Sequence, residues 1–281
     1  MNGRERLVQI TVPKTPVEIK KMADLVQQAE PVNFKVTKEE LLTLRLHVIY
    51  QFIQEQLKSY AGIINRRMEH LDIGVWEGVY EEYLTSLEQE LAVIYGIDKS
   101  ERRIGQTAGR EELIPHIISG RLRLFRQDGT TMEALKGRKF DSISAIEIVV
   151  GMKSGQEVPL IRQMSEHLKD DGIAFITFDD EDSNISEGHT WSKGSIVYPQ
   201  PYIETVVDEQ SENTASVQWF GQLPIDKTTD GRVIWPYYKT GGIFEVSSHN
   251  LRVFEVPFDE FNAPLKKPLS WIGVIRKNSL Q

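Results

Sequence analysis

The chain has 281 residues, of which 33 are basic and 41 acidic, so its net charge is −8. This balance argues against a nucleic-acid binder that is basic over its whole surface, although a local basic patch would be compatible with it. The sequence contains no cysteine, which excludes disulfides, Cys-ligated zinc, iron–sulfur clusters and a cysteine nucleophile. A cytoplasmic protein is the simplest interpretation. We expect neither a signal peptide nor a membrane helix, because the first residues are polar and no apolar run approaches about 18 residues.

A helical lead is predicted for the N-terminal part of the chain. Residues 1–36 are interrupted by prolines and indicate an extension with one short helix at 17–29. Thr37 followed by Glu40 matches a capping box, and apolar residues then recur at helical spacing. We therefore expect a long helix that starts after this cap and ends near residues 59–62.

From residue 68 onward, short apolar strands alternate with helices. In chain order, the predicted elements are a strand at 68–73, a helix at 80–90, a strand at 91–97, a helix at 99–118 with a break at Pro115, strands at 122–125 and 140–150, a helix at 158–168 that stops at residues 170–172, and a strand at 173–178. This alternation favours a mostly parallel sheet covered by helices on both faces.

The pattern changes after residue 178. Residues 179–187 are acidic and polar and predict a loop, whereas 188–262 are rich in aromatic residues and turn signals and predict a β-rich region. Its rings either form a lid over a binding site or pack into a core of their own. With a final strand at 270–276, the expected class is α/β, a doubly wound and mostly parallel sheet with a helical N-terminal lead and a β-rich aromatic insertion. The expected units are 1–66, 67–180 and 181–281.

Acids and glycines stand where the first two predicted strands end. The segment from Asp72 to Gly78 follows the first strand and has a second glycine at Gly74, so the backbone could approach a ligand closely. Asp98 ends the next strand, where a carboxylate can accept both hydroxyls of a ribose. Each acid also has a structural alternative, since Asp72 could cap the glycine turn and Asp98 could cap the following helix.

Two further acids extend this series. Asp128, followed by Gly129, ends the third strand, where a carboxylate could accept a hydrogen bond from an adenine amine, although Asp-Gly is also ordinary turn chemistry. Glu147 is predicted inside an apolar strand, where a carboxylate is unfavourable unless it is paired or lies at a pocket rim. The six histidines show no metal-ligand spacing, so no metal site is expected.

Taken in order, these motifs resemble the class I S-adenosylmethionine-dependent methyltransferases over residues 68–178, with a final strand near 271–276. The matching motifs are Asp72, Gly74 and Gly78 in the first turn, Asp98 after strand two, Asp128 after strand three, Phe140-Asp141-Ser142-Ile143 at the start of strand four, and Leu168-Lys169-Asp170-Asp171-Gly172 before strand five. The resemblance implies S-adenosyl-L-methionine as cofactor. The expected cofactor-binding residues are Asp72, Gly74, Gly78, Asp98, Asp128, Gly129 and Glu147. Residues 67–180 would form the cofactor-binding core, and residues 181–281 the substrate lid with the last strand.

One residue departs from the family pattern. Trp76 occupies the position of the middle glycine in the first turn. A ring at this position either swings outward or fills the cofactor pocket. In the second case, the chain would be a non-catalytic partner subunit that keeps the fold. A nicotinamide-dependent dehydrogenase is a third interpretation, but the turn does not match G-x-G-x-x-G.

Two weaker details resemble mRNA cap guanine-N7 methyltransferases. They are an Arg-containing helix at 44–50 and an aromatic strand with a nearby acid at 242–245 and 254–258. The expected contacts of the methyl acceptor are Phe244 and Glu255, together with Tyr198 of the aromatic region. The acceptor would be an RNA 5′ end or, alternatively, a small molecule. No catalytic residue is indicated. A local basic set could meet phosphates, or it could simply be solvated charge; it comprises Arg121, Arg123, Arg126, Lys136, Arg138 and Lys139.

Overall fold

The computed structural model describes residues 38–179, 200–212, 214–222, 226–227, 233–234, 237–239 and 270–277. The helices are α1 (Lys38–Ile64), α2 (Val79–Thr85), α3 (Glu101–Ala108), α4 (Ile114–Ile118), α5 (Glu157–His167) and α6 (Gln200–Gln210). The strands are β1 (Met68–Ile73), β2 (Leu91–Asp98), β3 (Leu122–Arg126), β4 (Phe140–Ala145), β5 (Leu168–Asp179), β6 (Ala215–Gln222), β7 (Asp226–Lys227), β8 (Val233–Ile234), β9 (Tyr237–Lys239) and β10 (Ser270–Lys277). The expected short helix at 17–29 and the cap at Thr37 lie outside the described residues.

An eight-stranded sheet organises the fold, with strand order β3-β2-β1-β4-β5-β10-β6-β9. Strands β1 to β5 pair in parallel, as expected for buried apolar strands joined by helical crossovers. Strand β10 is antiparallel to both of its neighbours, β5 and β6, and β9 is antiparallel to β6. The mostly parallel α/β sheet predicted from the sequence is therefore confirmed.

Two apolar clusters fill the space between the sheet and its helices. In one cluster, Ile49, Ile53 and Leu57 of α1 pack with side chains of α2 and the sheet. In the other, α5 and α6 cover the opposite part of the sheet, where Leu160 and Ile203 are fully buried. Helix α1 is thus held by tertiary packing, which supplies most of a helix's stability in proteins. Within the described ranges, no helix combines the length and the apolar composition that a membrane span requires.

Four predicted elements differ from the structure. The helix expected at 99–118 is two helices, and Pro115 lies in the first turn of α4, where its missing N–H costs nothing, rather than at the break. The helix expected at 80–90 ends at Thr85. The segment at 170–172 belongs to β5 instead of forming a stop after the helix, and the β4–β5 register shifts between Phe140 and Ser142. The region expected to be β-rich contains the 11-residue helix α6.

Strand β4 is also shorter than expected, and the difference concerns a candidate site residue. The strand ends at Ala145, so Glu147 does not lie inside it. The backbone of Glu147 is left-handed, with φ 55°, and a short 3₁₀ turn at Val149–Gly151 follows. A side chain in such a loop can reach a pocket rim, whereas one inside a buried strand could not do so without loss of solvation.

Candidate functional site

The carboxyl ends of the parallel strands bring the predicted acids to one edge of the sheet. Register pairs place Asp72 of β1 opposite Gly96 of β2 and opposite Ser144 of β4. Asp98 ends β2 next to β3, and Asp128 follows the end of β3. In open α/β sheets, this edge is where ligands bind.

The turn after β1 depends on glycine at two positions. Gly74 has φ 88°, and its N–H donates to the carbonyl of Ile97 over 2.7 Å. A Cβ on Gly74 would overlap the tip of the Ile148 side chain. Gly78 has φ 83° and begins α2, and a Cβ there would lie 2.7 Å from Arg110 Cδ. Both residues therefore permit left-handed backbone and close packing that a larger residue would oppose.

The Asp72 carboxyl lies in a buried hydrogen-bond network. The side chain is only 2% exposed, and Ser144 Oγ donates to its Oδ1 over 2.6 Å. The ring of His70 bridges Ser142 Oγ and Ser144 Oγ at 2.7 and 2.9 Å. Burial lowers the pKa of His70 to about 3, so the ring is neutral. This network fixes the carboxyl at the end of β1.

A second buried carboxyl, Glu81 of α2, accompanies Asp72. Glu81 is 0% exposed, and the carboxyls of Asp72 and Glu81 shift each other's pKa, although neither Glu81 oxygen has a hydrogen bond of ordinary geometry with a described residue. Burial raises the pKa of Asp72 to about 6, although the hydrogen bond from Ser144 acts in the opposite direction. Burial and the charge of Asp72 together raise the pKa of Glu81 well above its usual range. Two carboxyls in contact in a buried site cannot both ionise readily, so the pair holds a proton at neutral pH.

Tyrosines from α1 and α2 cover these acids. The rings of Tyr50 and Tyr80 stack with centroids 4.8 Å apart, and Tyr83 lies 5.2 Å from Tyr50. Burial raises the pKa of Tyr50, and the charges of Asp72 and Glu81 raise it further. The Tyr80 hydroxyl lies near Ser144 without a hydrogen bond of ordinary geometry to any described residue.

Asp98, the acid at the end of β2, lies in a tight local turn. Asp98 is half-buried, and its Oδ1 accepts the N–H of Ser100 over 2.8 Å. The helix cap is Ser100, whose hydroxyl accepts the N–H of Arg103 over 3.4 Å. Asp98 is therefore not the N-cap of α3, and the alternative reading of this acid as a cap is wrong.

Asp128 and Gly129 follow β3 in a turn. Asp128 Oδ1 accepts the N–H and the hydroxyl of Thr130 at 2.8 and 2.7 Å, and these bonds, chiefly the backbone one, lower its pKa against the effect of burial. Its side chain is exposed at the sheet edge. A Cβ on Gly129 would lie 2.6 Å from Ile73 Cγ2, so this glycine lets the turn pack closely against the end of β1.

Glu147 lies at the same edge, after β4. Its backbone N–H donates to Thr177 Oγ1 over 2.7 Å, and Thr177 Oγ1 lies 3.3 Å from the Glu147 carboxyl. The charge of Glu147 also contributes to the raised pKa of Tyr50, after burial and the charges of Asp72 and Glu81. The structure thus places Glu147 at the same edge of the sheet as Asp72 and holds it by contacts with Thr177 of β5.

The ring of Trp76 points outward. It is 55% exposed, and the guanidinium of Arg103 lies 3.8 Å from its ring centroid. The Trp76 carbonyl accepts the hydroxyl of Thr107 over 3.4 Å, and Arg110 binds the carbonyl of Glu77. Helix α3 and the residues after it therefore hold this turn, and the ring does not fill the space beside Asp72.

The described residues do not support several of the site predictions made from the sequence. The acceptor residues Tyr198, Phe244 and Glu255 lie outside the described residues. Five members of the basic set make contacts within the chain: Arg121 with Thr85 and Glu88, Arg123 with Tyr95, Arg126 with Glu101, Arg138 with Tyr95 and Glu69, and Lys139 with the Glu166 carbonyl. No His, Asp and Glu side chains in the described part of the chain converge as a metal site would.

Glu81, His70 and Tyr50 were missed by the sequence analysis. A weak signal existed for Glu81, because it precedes the fully buried Leu84 by three residues and so shares its helix face. No comparable signal marks His70, whose partners Ser142 and Ser144 are more than 70 residues away in the chain.

No protein-family model and no curated protein matches the sequence. Solved structures do match. The N-methyltransferase NodS from Bradyrhizobium japonicum WM9, in complex with S-adenosyl-L-homocysteine, matches with a TM-score of 0.51 at 12% identity over 93% of this chain and 99% of its own. An S-adenosylmethionine-dependent methyltransferase from Clostridium acetobutylicum ATCC 824 matches with a TM-score of 0.52 at 12% identity over 82% of this chain and 91% of its own. The magnesium protoporphyrin IX methyltransferase from Synechocystis PCC 6803, with bound S-adenosyl-L-homocysteine, matches with a TM-score of 0.51 at 11% identity over 90% of this chain and 91% of its own.

The names of these structures describe different methyltransferases, and each structure matches this chain over most of its length. The sheet is mostly parallel and receives the last strand of the chain, as the sequence led us to expect, and β10 is antiparallel to both of its neighbours. The chain therefore has the fold of the class I S-adenosylmethionine-dependent methyltransferases.

Proposed function

We propose that the protein is an S-adenosylmethionine-dependent methyltransferase. The observation that carries this proposal is the set of acids Asp72, Asp98 and Asp128, which stand at the carboxyl ends of three adjacent parallel strands in a sheet of this fold. Carboxylates so placed can accept hydrogen bonds from a nucleoside along its length.

The residues fit the proposed cofactor by their chemistry. Asp98 would accept the ribose hydroxyls, since only one of its carboxyl oxygens, Oδ1, accepts a hydrogen bond within the described residues, from the N–H of Ser100. Asp128 is exposed beside it and would accept the adenine amine. The left-handed turn at Gly74 and Gly78 brings the backbone to the same edge. The buried carboxyls of Asp72 and Glu81 lie at the end of β1, where a positive charge would be favourable.

When bound, S-adenosyl-L-methionine supplies an activated methyl group on a sulfonium centre. The chain's own residues would then contribute mainly alignment and exclusion of water, because methyl transfer to an already nucleophilic acceptor needs no general base. The tyrosines Tyr50, Tyr80 and Tyr83 cover the buried acids from α1 and α2 and would limit water access there.

The dehydrogenase alternative has less support. A doubly wound dinucleotide-binding sheet has the parallel order 3-2-1-4-5-6, whereas here the antiparallel β10 separates β5 from β6.

We further propose an RNA 5′ end as the first candidate acceptor and a small molecule as the second. Tyr198, Phe244 and Glu255 remain the predicted acceptor contacts. The net charge of −8 and the internal contacts of most of the basic set favour an acceptor held locally over one held along a charged groove. Transfer of a labelled methyl group to a capped oligoribonucleotide, measured beside uncapped RNA and a panel of small amines and phenols, would decide between them.

Calorimetric titration with S-adenosyl-L-homocysteine tests the activity class. Asp98→Asn should weaken binding about 10-fold to 150-fold, because a hydrogen bond to a charged group contributes about 1.5–3 kcal/mol, while Asn can keep the turn with Ser100. The matched control is Asp208→Asn on the exposed surface of α6, which should bind like the wild type. Absence of binding by the folded wild type at millimolar ligand would refute the proposal.

The non-catalytic alternative is tested by Trp76→Gly. Because the ring already points outward, this variant should bind S-adenosyl-L-homocysteine within about threefold of the wild type, a difference of under about 0.7 kcal/mol. A gain of tenfold or more would show that the ring obstructs the cofactor pocket in solution.

A further inference from the structure

The turn after β1 carries an exposed aromatic ring on a strained backbone. Trp76 has φ 47°, a left-handed conformation that residues with a Cβ adopt only at an energetic cost. Its ring is 55% exposed, although tryptophan side chains are on average highly buried. A glycine would adopt the same backbone without strain, as Gly74 and Gly78 do on either side of it. Strain of this kind, kept where the turn does not require it, points to a task for the ring in binding.

The guanidinium of Arg103 covers one face of this ring. Its Cζ lies 3.8 Å from the ring centroid, which is a cation–π arrangement. Among the described residues, the Arg103 side chain has no hydrogen bond and no ion pair; only its backbone N–H donates, to Ser100. A guanidinium has five N–H donors, and stacking uses none of them. Arg103 therefore presents a positive charge and open donors beside a ring whose other face is free of it.

Local contacts tie this pair to the edge of the sheet that carries the acids. Asp98 Oδ1 accepts the N–H of Ser100 over 2.8 Å, and Ser100 Oγ accepts the N–H of Arg103 over 3.4 Å. On the other side, the Thr107 hydroxyl donates to the Trp76 carbonyl over 3.4 Å. The ring thus stands next to the proposed ribose-binding acid without entering the buried site, where a methyl acceptor has to approach the cofactor.

The two side chains suit one class of ligand. Nucleobases stack on open tryptophan faces, and this stacking tolerates any base. A guanidinium binds phosphate through two parallel hydrogen bonds. A cationic acceptor would be repelled by Arg103, and an aliphatic one would not use the flat face of Trp76. The combination therefore favours a nucleobase that carries a phosphate.

We propose that Trp76 and Arg103 form a recognition subsite for the methyl acceptor, in which Trp76 stacks on the base of a nucleotide and Arg103 binds its phosphate. This inference rests on the proposed function and makes the acceptor a nucleotide, either free or at an RNA 5′ end. The base lies on the face of the ring that Arg103 leaves open. Both residues determine specificity, and neither takes part in the transfer of the methyl group.

Calorimetric titration of the S-adenosyl-L-homocysteine-loaded protein with guanosine 5′-triphosphate tests the role of the ring. Trp76→Leu keeps a bulky side chain on the same backbone but cannot stack, so nucleotide affinity should fall about 5-fold to 150-fold. Trp76→Phe restores an aromatic face and should recover most of this loss. The matched control is Ile118→Ala, which removes an apolar side chain that is 81% exposed on α4, and it should bind the nucleotide like the wild type.

Probes with and without phosphate test the role of the guanidinium. Arg103→Gln should weaken the binding of guanosine 5′-triphosphate about tenfold or more, but should change that of guanosine by less than about threefold. Arg102→Gln is the matched control, since it removes one positive charge from the neighbouring exposed residue, and it should bind both probes like the wild type. A capped oligoribonucleotide, titrated in parallel, distinguishes the sources: tighter binding than that of the free nucleotide identifies an RNA 5′ end.

The outcomes separate this inference from the proposed function. Unchanged affinity of Trp76→Leu for both the nucleotide and the capped RNA, or no binding of either probe by the loaded wild type at millimolar concentration, would overturn the subsite and leave the methyltransferase proposal intact. A tenfold loss of S-adenosyl-L-homocysteine affinity in Trp76→Leu would assign the ring to the cofactor and would also overturn it. Absence of cofactor binding by the folded wild type would overturn both.

Discussion

Replacement of Gly74 by alanine tests how tightly the turn after β1 is built. Gly74 has φ 88°, and an added Cβ would overlap the tip of Ile148. Two other glycines separate the effect of the left-handed backbone from the effect of the steric overlap. Gly137 has φ 78°, but no described atom beyond its chain neighbours lies within 4 Å of an added Cβ, and Gly151 has neither positive φ nor such a contact.

The magnitudes follow from these differences. Gly151→Ala should stabilise the fold by about 0.4–1 kcal/mol, because it restricts only the unfolded chain. Gly137→Ala should destabilise by about 1 kcal/mol through left-handed strain alone. Gly74→Ala adds overpacking of about 1–3 kcal/mol, so its total should reach about 2–4 kcal/mol.

Urea unfolding followed by circular dichroism measures all three variants. The Ile148→Val substitution removes the overlapping methyl group, so in the double variant it should recover about 1 kcal/mol of the loss, as a coupling energy between residues in contact. The reasoning is refuted if Gly74→Ala costs no more than Gly137→Ala, or if Ile148→Val shows no coupling with it.

Two further predictions concern buried polar groups. His70 is neutral in the fold because burial lowers its pKa to about 3, whereas in the unfolded chain His70 binds a proton below about pH 6.5. As the pH is lowered from about 6 to about 4, the free energy of unfolding should therefore fall by about 1.4 kcal/mol per pH unit. His70→Gln should remove this component, and equal pH slopes of urea unfolding in the two proteins would contradict the buried neutral ring. Asp141 is 1% exposed and accepts Lys169 Nζ over 3.0 Å, the Glu69 N–H over 2.9 Å and the guanidinium of Arg66. Asp141→Ala should therefore cost about 3 kcal/mol, with Asp170→Ala near neutral as the exposed control. Burial raises the pKa of Asp141, but these hydrogen bonds lower it overall. Its contribution to stability is therefore present above about pH 4 and is lost as the pH falls through the lowered pKa. A difference in unfolding free energy between wild type and Asp141→Ala that grows at pH 3 would contradict this prediction.

Local sequence patterns were enough to predict the strands whose ends carry the candidate site. The strand expected at 68–73 is β1, and the acids Asp72, Asp98 and Asp128 stand at strand ends as their sequence position indicated. The reason is that period, apolar content and turn residues are local properties, and the carboxyl ends of parallel strands necessarily meet at one edge.

Tertiary structure decided the environment of those residues. The sequence alone left two orientations for Trp76, and in the structure the ring points outward with Arg103 of α3 over it. Glu147 appeared to belong to an apolar strand, yet contacts with Thr177 of β5 hold it in a left-handed loop. These outcomes depend on which elements the fold brings together, and no window of neighbouring residues contains that information.

The sequence by itself thus determined where β1, β2 and β3 lie, the order of the acids and the resemblance to class I methyltransferases. Only the tertiary structure showed that Glu81 shares a buried site with Asp72, because strand order and the small residue at Gly96 create the space that the carboxyl enters. A glutamate on a short helix is ordinarily solvated, and it becomes a proton-holding group only when a sheet, a second acid and a layer of tyrosines enclose it.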